Sequence, residues 1–104
     1  MKLWIFPQVL LLASITVAAA EPDGAKLYAE KTCVACHGPR GDKPLLPDYP
    51  KIAGQNAAYL EQQMKDIKSG ARKNANSAAM QGIMHLVDEA EIAVLARYVA
   101  TLKP

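Results

Sequence analysis

Both cysteines of this chain and one of its two histidines stand in a single five-residue string, Cys33-Val34-Ala35-Cys36-His37. Two thiols at that spacing can be captured by the two vinyl groups of one haem, and a histidine directly after the second thiol then lies beneath the iron as its proximal ligand. Other chemistries share the spacing. A redox dithiol uses Cys-x-x-Cys, but normally after the strand of a βαβ unit, and the flanking residues carry no such pattern. A structural zinc site needs two further Cys or His ligands, and only His85 remains. Cys33 and Cys36 are therefore expected to hold a haem c covalently, with His37 as one axial ligand of its iron.

Such attachment takes place outside the cytoplasm, and the first twenty residues read as an export signal. Lys2 precedes an apolar run from Val9 to Ala20, broken only by Ser14 and Thr16. The run ends in Ala18-Ala19-Ala20, small residues suited to cleavage, just before Glu21-Pro22-Asp23. A retained anchor is the competing reading. Leu3 to Ala20 reaches the lower edge of a spanning length, but Pro7 and Gln8 interrupt it and no positive cluster follows. The expected organisation is a signal peptide over residues 1–20 and one domain over 21–104, exported to the periplasm.

The remaining 84 residues carry 11 Lys+Arg and 10 Asp+Glu, too balanced for a phosphate-backbone-binding stripe, so nucleic acid is not an expected partner. They include 38 apolar residues, of which 14 are alanine. The 24 larger ones make a thin core for a domain of this size, which calls for a staple such as a disulfide, a metal or a large apolar cofactor.

Three helices and no strand are legible. The first lies near Asp23 to Lys31 and opens on Pro22-Asp23. Gly38 to Gln55 contains four prolines besides Gly41 and Gly54 and reads as an extended loop. The second helix starts at Asn56 as N-cap, ends at Gly70, and aligns Leu60, Met64 and Ile67 on one face. The third has Asp88 as N-cap, Glu91 completing a capping box, and Ile92, Leu95, Val99 and Leu102 in register. Gly70 to Val87 reads as a long functional loop. That loop offers Met80, Met84 and His85 as a sixth iron ligand, whereas Met64 reads as core. Residue types alone do not choose among them. His85 would give a bis-histidine iron of lower potential than Met/His ligation.

From about Gly24 to Leu102 the chain resembles the small class I c-type cytochromes, specifically the bacterial cytochrome c4/c553-like group. The resemblance rests on Cys33-Val-Ala-Cys-His-Gly38, on Pro47-Asp-Tyr-Pro-Lys-Ile-Ala-Gly-Gln55, on Tyr59-Leu60 with Gly70-Ala-Arg-Lys-Asn74, and on the Asp88-Glu-Ala-Glu-Ile92 to Tyr98 helix. It departs at Gly82-Ile83-Met84, and its first helix reads one residue longer before Cys33. The resemblance implies an all-α class I cytochrome c fold, three main helices and long loops around one haem. In that group the methionine ligand stands twelve positions before the Ile or Leu of the last helix, which falls on Met80. A prolyl carbonyl, best matched by Pro47, would accept the Nδ1 proton of His37. Leu60, Ile67, Ile92 and Leu95 would cover the haem, and Arg72 and Asn74 resemble residues near it.

With both axial positions filled, no open position is left for a substrate. The expected function is one-electron transfer without substrate chemistry, by a monomer that docks transiently with redox protein partners, membrane respiratory complexes among them. A haem c subunit of a larger periplasmic oxidoreductase is the alternative. A haem sensor with a displaceable sixth ligand is a third reading.

Overall fold

A computed structural model describes residues 1–14 and 22–104. Residues 1–14 are exposed and without regular structure; the expected cleavage point at Ala18-Ala20 lies outside the described residues. Among the described residues there are five helices and no strand, and no helix is long and apolar enough to cross a membrane. They are α1 (Gly24–Glu30), α2 (Cys33–His37), α3 (Ala57–Ser69), α4 (Ser77–Met84) and α5 (Glu89–Ala100).

Local chemistry fixes the ends of the helices. The Asp23 carboxylate accepts from the amides of Ala25 and Lys26 at 2.9 and 3.4 Å and starts α1. Asn56 accepts from Tyr59 N at 3.1 Å and starts α3, which Gly70 ends at φ +83°. Asp88 and Glu91 form a complete capping box, with Glu91 N to Asp88 Oδ1 at 2.8 Å and Asp88 N to Glu91 Oε1 at 3.1 Å. Removing a cap of this kind typically costs about 1 kcal/mol.

Two points differ from the reading of the sequence. Thr32, at φ +64°, turns the chain between α1 and a separate short helix, α2, so the cysteine motif has an axis of its own. Within the expected loop from Gly70 to Val87, residues Ser77–Met84 form α4. Its cause is a short apolar stripe, Met80, Ile83, Met84 and Val87, at i, i+3, i+4 and i+7. Met84 and Val87 bury at 2% and 1% exposure.

α5 packs on both α1 and α3, and α4 packs among the helices on α3 alone. At the α1–α5 crossing a Cβ on Gly24 would stand 2.5 Å from Tyr98 Cβ, so only glycine fits without a shift. The rings of Tyr28 and Tyr98 stack there, tilted, with centroids 5.7 Å apart. Gly24→Val is expected to cost about 1–3 kcal/mol by overpacking, measured as a lower thermal midpoint with the haem spectrum unchanged.

The segment from Gly38 to Gln55 holds no helix but is pinned. Gly38, at φ +83°, ends α2 where a Cβ would meet Lys43 O at 2.5 Å. Leu45 N donates to Cys36 O, Ile52 N and Ala53 N both donate to Gly41 O, and Gly54 N donates to Val99 O. Buried Tyr28 donates from its hydroxyl to Gly38 O at 2.6 Å, which joins α1 to the end of α2. Burial pushes that phenol up to about 12, so it remains a donor across the ordinary pH range.

Candidate haem cleft

The buried core is left open on one side. Tyr28, Leu60, Met64, Ile67, Met84, Val87, Leu95 and Val99 belong to it and also line a cleft of about 280 Å³. The thin core expected from composition is therefore a core with one wall facing a space large enough for an apolar group.

α2 brings Cys33, Cys36 and His37 into this cleft and α4 brings Met80, Ile83 and Met84. The two thiols are not joined to each other. Burial, with the neighbouring Cys36 thiol adding to it, pushes the Cys33 thiol up to about 11. A dithiol oxidoreductase works from a depressed thiol, the opposite direction to that of Cys33. Among the described residues no group of three or more His, Cys, Asp or Glu side chains is placed to hold a metal ion by itself.

His37 is buried at 6% exposure, and its Nδ1 lies 3.0 Å from Pro50 O. A carbonyl can only accept, so Nδ1 carries the proton and Nε2 keeps the lone pair available to iron. The acceptor is Pro50, not the expected Pro47. Residues 46–49 close a turn, Tyr49 N donating to Leu46 O, and Pro47 within it does not line the cleft. Pro50 follows the turn and stands two residues before Ile52, whose amide is tied to Gly41 O, and it lines the cleft beside the histidine. The Pro-x-x-Pro spacing offered both residues, and only the path of the turn separates them.

All three methionines singled out in the sequence line the cleft, in different settings. Met64 and Met84 are core residues at 9% and 2% exposure, whereas Met80 is half-buried at the edge of that core. His85 is exposed and stands outside the cleft, in a shallow depression with Lys65, Lys68, Ser69 and Glu89. Ile92, expected to cover the haem, is fully buried but borders that depression instead. Arg72 does line the cleft, donating from Nη1 to Gln63 Oε1 at 3.0 Å and from Nε to Asn74 Oδ1 at 3.2 Å; Asn74 holds the arginine from outside. Gln63 was not singled out in the sequence. Its signal was its place next to Met64, where it widens the stripe of α3.

The donor set fits a covalently held haem: two thiols for attachment, one imidazole with its proton already committed, a nearby thioether, and apolar walls. Comparison with known proteins agrees. Residues 22–103 match the cytochrome c family. Cytochrome c-554(548) of Halomonas halodenitrificans is 43% identical over 67 residues, which are 64% of this chain and 80% of that protein. Cytochrome c4 of Azotobacter vinelandii is 38% identical over 104 residues, covering 92% of this chain and 49% of its own length. The crystal structure of reduced recombinant cytochrome c4 from Pseudomonas stutzeri superposes with a TM-score of 0.69 at 30% identity, covering 78% of this chain and 47% of that one. The chain thus spans about half the length of its cytochrome c4 relatives. By family match, fold and donor set together, it belongs to the cytochrome c family, electron-transfer proteins rather than enzymes, and its cofactor is a covalently attached haem c.

Proposed function

We propose that the chain is a periplasmic one-electron carrier whose haem is attached at Cys33 and Cys36 and ligated by His37 and Met80. The observation that carries this reading is the His37 ring: it lines the same cleft as both thiols and Met80, with Nδ1 engaged by Pro50 O and Nε2 left for iron. When bound, the haem supplies the one-electron Fe(III)/Fe(II) couple.

The chain's own residues tune that couple. The Pro50 carbonyl fixes the His37 tautomer and the orientation of its ring. With a haem held there, the Met80 thioether would favour the ferrous state and Leu60, Ile67 and Leu95 would keep water from the ring, both raising the potential. With His37 and Met80 both on the iron, no position would be left for a substrate, which suits transient docking with redox protein partners. Removal of residues 1–20 on export would leave a soluble domain of residues 21–104.

The test is the visible spectrum of the protein matured in cells that attach haem c. Sharp reduced bands of c-type haem, with the weak far-red band of sulfur-to-ferric-iron ligation in the oxidised form, are expected. Haem bands without the far-red feature would overturn Met80, and no haem after competent maturation would overturn the whole reading.

A further inference from the structure

Two lysines from different helices converge on the exit of α4. Lys31, the residue just past α1, donates from Nζ to Leu86 O at 2.9 Å and pairs with Glu91 Oε2 at 3.5 Å. Lys68, in the last turn of α3, donates from Nζ to the carbonyl of the next residue, Val87. Both lysines are half-buried. The amides of Leu86 and Val87 already donate back to Ile83 and Met84, so these two carbonyls lie past the last helical bonds of α4. Cations are favoured at a helix C-terminus, and a charged donor to a carbonyl makes a stronger bond than a neutral one.

The start of α4 has fewer anchors, Ser77 being buried there with its amide donating to Asn74 O. Asn76 makes no side-chain cap bond at its start, Ala75 before it sits at a left-handed φ of +50°, and its one helical neighbour is α3. Anchorage concentrates at the C-terminal end, where Met84 and Val87 enter the core and the two lysines hold the backbone. Met80 lies one turn upstream of Met84.

We propose that Lys31 and Lys68 are positioning residues that hold α4 in place and thereby set how readily Met80 leaves the iron. The proposal rests on Met80 being the sixth ligand. Neither lysine touches the haem cleft; each acts through the α4–α5 turn.

The experiment is carbon monoxide binding by the reduced holoprotein at room temperature, because carbon monoxide can enter only when the sixth ligand has left. Lys31→Met and Lys68→Met are each expected to raise the binding rate about tenfold, the equivalent of one lost hydrogen bond to a charged donor. Lys68→Arg should restore most of the slow rate, and Lys65→Met, whose lysine pairs with Glu61 on its own helix, should leave it unchanged. A purely structural role would lower the melting midpoint of the helices without changing the rate far below that midpoint. Wild-type rates in both methionine variants, with the far-red band present, would overturn the clamp alone. Absence of the far-red band from the unmodified protein would overturn Met80 ligation and the clamp with it. If Lys68→Met does not accumulate folded, Lys31→Met decides the matter, since it acts on the other carbonyl.

Discussion

Met80→Ala is expected to erase the far-red band of the oxidised protein while covalent haem remains, and to let the reduced protein bind carbon monoxide freely. Met84→Ala is expected to keep the band and instead cost about 2–5 kcal/mol of stability. The contrast follows from their settings. Both methionines stand on α4 four residues apart, and both line the cleft. Met84 is 2% exposed and is packed within the core, so its removal opens a cavity. Met80 lies at the edge of that core, where less packing is lost and a thioether remains available. Oxidised spectra and thermal unfolding of the two variants separate the roles. Loss of the band in Met84→Ala and its survival in Met80→Ala would reverse the assignment.

The double variant Cys33→Ser, Cys36→Ser is expected to lose covalent haem completely, seen as the absence of haem staining on a denaturing gel. Its second effect should be on the fold. Several core side chains also form the cleft wall, among them Leu60, Ile67, Leu95 and Val99. With no group held against them they face water, and the small remaining core has little surplus stability. Far-ultraviolet dichroism should show helix retained less cooperatively, with tertiary signals weakened first. A variant that retains haem through denaturation would refute attachment at these thiols.

What could be read from the sequence follows the strength of local signals. α3 and α5 were legible because each joins a capping residue, Asn56 or Asp88, to an unbroken apolar stripe. α4 was not. Its stripe spans barely two turns, Gly82 interrupts it, and Asn76 stands at the cap position without making a cap bond. The helix exists because tertiary burial of Met84 and Val87 outweighs weak local preference. The site divides in the same way. Cys33, Cys36 and His37 are contiguous, so their common placement needed only one turn of helix. Pro50 and Arg72 reach the cleft through the course of loops, which spacing does not encode. Composition anticipated a thin core in need of a staple, since 14 of the 38 apolar residues within 21–104 are alanine.

The Gly24–Tyr98 contact bears on the order of events in the life of the chain. α1 finds its main partner, α5, only after α2, α3 and α4 in chain order, so a chain made from its N-terminus cannot complete this crossing until α5 has emerged. The turn that carries both thiols and His37 draws its partners from α1 and from the loop that follows it, with Leu45 N on Cys36 O and Pro50 O at His37, all of them earlier in the chain than α5. Under the proposed attachment, the thiols that would hold the macrocycle and the crossing that closes the fold belong to different parts of the chain. The α1–α5 crossing joins the first of the described helices to the last and acts as the latch of the fold.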